Sequence, residues 1–450
     1  MIFRETKWRG ILKMLTFTPM KIIYLFIAMA LISCTPRVDP AKKVWAWMAG
    51  KTTMTTEQWD YYFQKAAEAG IDAILLECHG GYPEVLDEVP EDTAALATPE
   101  TTASATSTPP GSTASPGDTV IANQETTPVT PDTILTTPAT AVPSFRDNAA
   151  IYIIKAALPY AQKYGIELHA WIWTINRTEM SLRNAHPDWY QVNALGQSCL
   201  DIKLYEREHY RWLCPSRPET TQYLKDRVAE LAQIEGLAGV HLDFIRYPDA
   251  ILPYGLHESR NVVQDRVYPL WDFCYCDVCR VNFKALTGVD PMDLEDPTSD
   301  PRWMQYRWDA LSAVASEVCA EIKKHGKVAS VAVFANPEES RKLVRQDWPR
   351  FQNVDIFFPM IYHKFFNWED PAVMTATAEG VQELQDAGNE GILCSGLFVG
   401  HVPADRIQEF MQLTQDGGST GICFFSLENI DRTPGYWESL GKAIKEFKGQ

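Results

Sequence analysis

Residues Gly239–Asp249 read GVHLDFIRYPD. An apolar run with the look of a buried β-strand carries His241 and Asp243, two apart and therefore on one face of it, and ends in Arg246-Tyr247-Pro248. Burying a carboxylate and an imidazole at the end of such a strand is costly unless something pairs with them. Chains accept that cost where protons must be moved. A structural ion pair between Asp243 and Arg246 is the plain alternative.

A second group of reactive side chains lies downstream, in Cys274-Tyr275-Cys276-Asp277-Val278-Cys279. This CxCxxC spacing brings three thiolates within reach of one tetrahedral zinc, and one further ligand would close the shell. Cys214, just before Pro215, is the first candidate for the fourth position and Cys199 the second. A disulfide within the group, in an oxidising compartment, or free thiols are the competing readings. A closed four-ligand site would be structural, so no catalytic cofactor is expected. Cys78, Cys319, Cys394 and Cys423 sit in apolar stretches and read as small core residues.

The elements that must hold these groups alternate. Strands are expected at Val44–Met48, Ala73–Cys78, Glu167–Trp173, around Asp243, at Val328–Phe334, Val354–Tyr362, Gly391–Val399 and Gly421–Leu427. Helices are expected after Thr55, whose spacing to Gln58 is that of a capping box, and near Asn148–Tyr164, Pro218–Glu235, Arg302–Lys324, Pro371–Ala387, from Pro403, and near Tyr436–Lys448. Residues 248–300 read as a long connection. Eight strands, apolar on both faces and each followed by a helix, predict an α/β fold of the (β/α)8 TIM-barrel type. A doubly wound open sheet would normally carry a glycine-rich phosphate turn after its first strand, and Met48-Ala49-Gly50-Lys51 is not one.

In a barrel of this kind the active site lies at the C-terminal ends of the strands. Those ends offer Glu77 and His79; His169, Trp171 and Trp173; Asp243, Arg246 and Tyr247; Asn336 and Glu338; Tyr362 and His363; and Glu428 and Asn429. Paired carboxylates among aromatics are what glycosidic-bond hydrolysis requires: one acid protonates the leaving oxygen, and one carboxylate attacks or activates water. Asp243 is expected as nucleophile or base. Glu428 is the first choice for the partner acid, then Glu77, then Glu338. Trp171, Trp173, Tyr247 and Tyr362 are candidate sugar platforms, with core filling as the alternative. His169, His241, Arg246 and His363 complete the expected substrate-binding set. Asp355, at the start of its strand, belongs to the opposite, stability face. A carbohydrate esterase would need a serine nucleophile or an Asp-His-His metal set, and neither stands at the strand ends. A glycan-binding protein that keeps the barrel without turnover is the alternative from another functional class.

The chain has 450 residues, a formal charge of −17 and no basic cluster beyond the extreme N-terminus, so a nucleic-acid backbone would be repelled. Fourteen tryptophans and eighteen tyrosines exceed the needs of the core and suit a cleft that stacks on sugar rings. After Lys21 comes the run IIYLFIAMALIS and then Cys34. The run has the length of a signal-peptide apolar region. Leu31-Ile32-Ser33-Cys34 resembles the lipobox of bacterial lipoproteins, which implies lipid modification of Cys34, a signal peptide over 1–34 and a membrane-anchored place in the cell envelope. Residues 35–43 would be a tether and 44–450 the barrel. Residues 89–144, rich in Thr, Pro, Ser and Ala, read as a disordered insertion after the second strand. Within them, Asp92-Thr93-Ala94, Asp118-Thr119-Val120 and Asp132-Thr133-Ile134 resemble a bacterial O-glycosylation acceptor, or recur by chance in a threonine-rich stretch.

GIDAILLE, ELHAWIW, HPDWY, NALGQS, GVHLDFIRYPD, FPMIYH and FFSLEN together resemble the glycosyl hydrolase-like 10 family of bacterial (β/α)8 proteins, often lipoproteins. HLDFIRYP and HPDWY are the specific motifs, and the similarity runs from about Val44 to the C-terminus. The resemblance implies glycoside hydrolysis, in one branch of peptidoglycan strands that have lost their stem peptides. It implies Asp243 as the acid of HLDFIRYP and Glu428 as the acid of the last strand. Comparable loops on other barrel glycosidases hold a structural zinc with one upstream Cys. The long Cys-bearing loop departs from the family pattern, which leaves a foraged polysaccharide open as substrate beside an envelope glycan.

Overall fold

The computed structural model describes residues 42–78 and 149–450. Cys34, the signal segment, His79 and the expected insertion at 89–144 lie outside the described residues. Eight parallel strands close into one barrel in chain order: β1 (Val44–Ala49), β2 (Ala73–Glu77), β3 (Glu167–Trp173), β4 (Gly239–Asp243), β5 (Val328–Phe334), β6 (Ile356–Met360), β7 (Ile392–Phe398) and β8 (Gly421–Phe425). Closure is through β1 and β8, with Trp45 opposite Cys423 and Trp47 opposite Phe425. The fold is the expected (β/α)8 barrel, with several strand ends trimmed by one or two residues.

The helices of the outer layer are α1 (Thr56–Ala69), α2 (Ala149–Tyr164), α3 (Met180–Ala185), α4 (Pro218–Ala232), α5 (Asp277–Thr287), α6 (Pro301–Lys324), α7 (Pro337–Val344), α8 (Ala372–Asp386), α9 (Ile407–Asp416), α10 (Leu427–Arg432) and α11 (Tyr436–Lys448). The α1 start shows why sequence fixes such boundaries. Gln58 N–H donates to Thr55 Oγ1, and Thr55 N–H donates to Gln58 Oε1 at 2.9 Å, so two helix-end donors are satisfied reciprocally. Gly70 then closes the helix at φ 88°, a conformation free of penalty only without a Cβ. Trp59, Phe63 and Ala66 face the sheet, at helical spacing. The expected connection at 248–300 contains α5, and α3, α7 and α10 are further short helices that the periodicity left unmarked.

Inside the barrel, Trp45, Trp47, Leu75, Trp171, Ile356, Phe358, Cys394 and Cys423 form a packed plug. Two histidines are part of it. His241 Nε2 accepts from Trp47 Nε1 at 3.1 Å, and its Nδ1 lies 3.0 Å from Ser330 Oγ. His169 sits lower, against Trp45, in space left by Gly239: a Cβ there would stand 2.3 Å from His169 Nδ1. Both imidazoles are fully buried, and burial holds both below the ordinary histidine range, so they are neutral at pH 7.

Candidate active site

Strand β4 ends on Asp243, and the next residue, Phe244, takes a left-handed backbone at φ 49°. That turn aims Phe244 N–H at Asp243 Oδ1, 2.6 Å away. Trp171, on the inner face of the neighbouring strand, donates Nε1–H to Oδ2 at 3.1 Å. Each oxygen of Asp243 therefore accepts one hydrogen bond. Burial pushes its carboxyl up to about 6. The Glu77 charge adds to the rise, while Phe244 N–H, Arg246 and Trp171 pull it partly back.

The competing ion-pair reading fails on geometry. Arg246 Nη1 pairs with Asp249 Oδ2 at 3.1 Å and donates to the carbonyl of Tyr247, and its guanidinium lies over the rings of Trp212, Phe244 and Phe334. Its charge reaches Asp243 without a bond to it.

Glu77 ends β2 on the barrel's inner face, almost wholly buried. Its carbonyl receives Gly50 N–H at 3.1 Å, an approach that any side chain at 50 would block, since a Cβ there would lie 2.5 Å from that oxygen. Glu428 stands in the first turn of α10, just beyond β8, half-buried, and its Oε1 accepts the N–H of Ala49 at 2.8 Å. Ala49 in turn pairs with Glu77 across the sheet. Burial raises the Glu428 carboxyl, and the Glu77 charge raises it further, against the pull of Ser426 and the Ala49 N–H. Three carboxylates from β2, β4 and the end of β8 thus share one mouth, with Glu77 coupled to both of the others.

Aromatic groups wall this mouth. Tyr362, half-buried, stacks on Phe425 with ring centroids 5.9 Å apart and touches Phe398. The charge of Asp243 reaches the Tyr362 hydroxyl. Trp171 packs edge-on against Phe425 at 6.3 Å.

The remaining expected site residues are placed elsewhere. His241 and Trp171 lie beneath and beside Asp243: His241 is part of the plug, and Trp171 donates its indole N–H to the acid. His169 lies toward the strand starts, 3.7 Å from Glu167. Trp173 is buried against Phe244 and His209. Tyr247 is buried near Cys214, Cys274 and Cys279 instead of facing the mouth. His363 pairs with Asp370 at 3.0 Å and packs against His401 and Phe410. Glu338 is exposed in the first turn of α7. For Tyr247, His363 and Glu338 the cause is that a residue past a strand end turns with its loop, since alternation predicts direction only inside the strand. Sequence reasoning missed Arg177, buried, whose Nη1 donates to the carbonyl of Trp173 at 2.7 Å and which pairs with Glu179. It also missed Asp272, fully buried between Arg307 at 2.6 Å and Arg345 at 3.1 Å.

The four sulfurs of Cys214, Cys274, Cys276 and Cys279 converge to within 4.8 Å of one another, all buried and none in a disulfide. Cys199 is apart from them, its sulfur accepting from Trp212 N–H at 3.2 Å.

A family profile described as "putative glycosyl hydrolase domain" matches residues 139–390. Among solved structures, the chain is similar to the PgaB (BpsB) glycoside hydrolase domain of Bordetella bronchiseptica, at 11% identity and TM-score 0.56 over 90% of this chain and 99% of that one. It is also similar to the catalytic domain of a β-amylase from Paenibacillus polymyxa, at 10% identity and TM-score 0.54 over 91% and 99%. At such identities the likeness is one of fold. No curated protein sequence matches the chain significantly.

Proposed function

Because the chain belongs to this glycosyl hydrolase family, we propose that it cleaves O-glycosidic bonds with a pair of carboxylates, as an exported lipoprotein held by Cys34. Asp243 is the nucleophile or base and Glu428 the proton donor, with Glu77 between them. The observation that carries this is the Asp243 carboxylate: it ends a strand at the barrel mouth, takes one hydrogen bond on each oxygen, and has no cation bonded to it among the described residues. Those two donors favour the charged form needed for attack. Glu428, raised by burial and by Glu77, suits the opposite role of holding a proton for the leaving oxygen. Tyr362, Phe425 and Phe398 supply apolar ring surface on which a pyranose can stack.

The resemblance to the glycosyl hydrolase-like 10 family and the lipobox-like segment before Cys34 support a glycan of the cell envelope as substrate, peptidoglycan stripped of its stem peptides first, a foraged polysaccharide second. The test is turnover by the detergent-solubilised full chain on peptide-free peptidoglycan glycans and a polysaccharide panel, with Asp243→Asn run alongside. Release of reducing ends by the native chain, lost in the variant, supports the reading. Glycan binding without turnover on any substrate makes the protein a binder, and equal activity in Asp243→Asn removes Asp243 from the chemistry.

A further inference from the structure

The loop that departs from the family pattern carries its own site. We infer that Cys214, Cys274, Cys276 and Cys279 bind one zinc ion, and that this ion ties the segment after β3 to the segment after β4 and so steadies the backbone beneath Asp243.

The geometry is that of a coordination shell. Zinc–thiolate bonds of about 2.3 Å set the edge of a tetrahedron of sulfurs at about 3.8 Å. Cys214 Sγ lies 3.5 Å from Cys276 Sγ and 3.4 Å from Cys279 Sγ, and all four sulfurs fall within 4.8 Å of one another. Cys214 is equidistant from two partners, an arrangement that pairwise disulfide bonding does not call for. The donor set is entirely sulfur, with no carboxylate or imidazole, which selects a soft metal of tetrahedral preference, and zinc first among these. Every ligand is buried and no position is left for substrate, so the ion is structural.

Binding replaces four S–H bonds by four Zn–S bonds and releases four protons to solvent, leaving a net charge of −2 on the centre. Two features offset it. Cys276 and Cys279 sit at the N-terminus of α5, where the helix dipole favours negative charge. Arg217 stands close enough for its charge to interact with Cys276 and Cys214, held by Asp277 at 2.6 Å.

The link to the mouth is short. Trp212, two residues before Cys214, packs its ring on Phe244 at 5.6 Å, and Phe244 N–H is the donor to Asp243 Oδ1. On the other side, Tyr275 N–H bonds to the carbonyl of Val192 at 2.7 Å, and Arg307 holds both Asp272 and the carbonyl of Phe273. The two loops that carry the four cysteines also meet through hydrogen bonds, among them Tyr210 to Asp249 at 3.0 Å and Ala194 N–H to the carbonyl of Asp272 at 3.1 Å, and the ion adds a four-point cross-link to these. This second half of the inference rests on Asp243 being catalytic; the metal itself does not.

The experiment is metal analysis of the full native chain purified without chelator, by elemental mass spectrometry, with intact mass under denaturing alkylation to count free thiols. About one zinc per chain and a cobalt-exchanged form with thiolate-to-cobalt charge-transfer absorption are expected. Cys276→Ser should lose the metal and lower the unfolding temperature, whereas Cys199→Ala should keep it. Should Cys276→Ser fail to fold, the native chain alone decides. Sub-stoichiometric zinc, iron in its place, or thiols found oxidised to disulfides would overturn the site. Stoichiometric zinc whose gradual removal leaves turnover unchanged would overturn the link to Asp243 while keeping the metal. Because zinc is measured without substrate, its absence and the absence of hydrolysis are separate results.

Discussion

The two ends of the barrel treat their acids in opposite ways. At the strand starts, Asp355 Oδ2 accepts Ala329 N–H at 2.9 Å, and its other oxygen pairs with Lys323 at 2.7 Å. Asp72 does the same with Val44 N–H and Lys448. Glu167 pairs with Lys43 at 2.6 Å, and the His169 ring together with that ammonium brings its carboxyl down to about 2. At the strand ends, Asp243 and Glu428 accept backbone N–H groups too, but no ion pair with a lysine or arginine is found for them among the described residues, and both are raised. One end spends its carboxylates on capping and neutralising the start of the sheet; the other leaves them with raised proton affinity, as acid–base work on a glycosidic bond requires.

The sharpest way to break that contrast is a crossed pair of isosteric variants. Asp243→Asn should lose about three orders of magnitude or more in kcat/KM, as removal of a nucleophile or base does. Yet it should be no less stable than the native chain at pH 8. A raised carboxyl contributes stability below its unfolded value near 4 and loses it as pH climbs through about 6. Removing that charge therefore favours the variant by roughly 1–2 kcal/mol at pH 8, after allowance for one weakened hydrogen bond, and the advantage should close by pH 4. Asp355→Asn should do the reverse, costing about 1–2 kcal/mol in denaturant unfolding with turnover intact. If Asp355→Asn loses turnover as well, or Asp243→Asn is the less stable of the two at pH 8, the division between the ends is wrong.

The pH profile sharpens the roles within the active end. With Asp243 ionised for attack, kcat/KM should rise through an acid limb near pH 6. A limb near 6 on the basic side instead would make Asp243 the proton donor and transfer the attacking role to Glu77 or Glu428.

How much of this was legible in the chain differs by link. The barrel was, because strands buried on both faces and capped helices write themselves into local composition: β3, β5 and α11 fall on the expected residues, and the Thr55–Gln58 box is made as drawn. The acids of β2 and β4 were legible for the same reason, since parity inside a strand fixes the face. What was not legible is direction beyond a strand end. Tyr247 and His363 follow strand ends by a few residues and turn away, one toward the cysteines and one toward Asp370. Glu338 stands in a helix start that periodicity did not mark. His241 shares a face with Asp243, as expected, but depth within a barrel is set by the partners across it, Trp47 and Ser330, which no local pattern announces. Cys214 was reachable because it stood upstream of a motif in need of a fourth ligand; Asp272 was not, because nothing in the sequence tells that two arginines from α6 and the end of α7 meet on it.

The smallest expected effect tests the finest part of the contrast, the hydrogen bond from Trp171. Its indole N–H favours the charged form of Asp243, so Trp171→Phe keeps a six-membered ring in the plug and removes the donor together with the pyrrole part of the indole. The acid limb of kcat/KM should then move up by about half a pH unit to one unit, with the plateau at high pH lowered severalfold at most. A sugar platform would behave differently: losing ring area raises KM at every pH and leaves the limb in place. A limb that stays near 6 while KM rises would return Trp171 to the role of stacking surface, and leave Phe244 N–H as the one donor that sets the acid's charge.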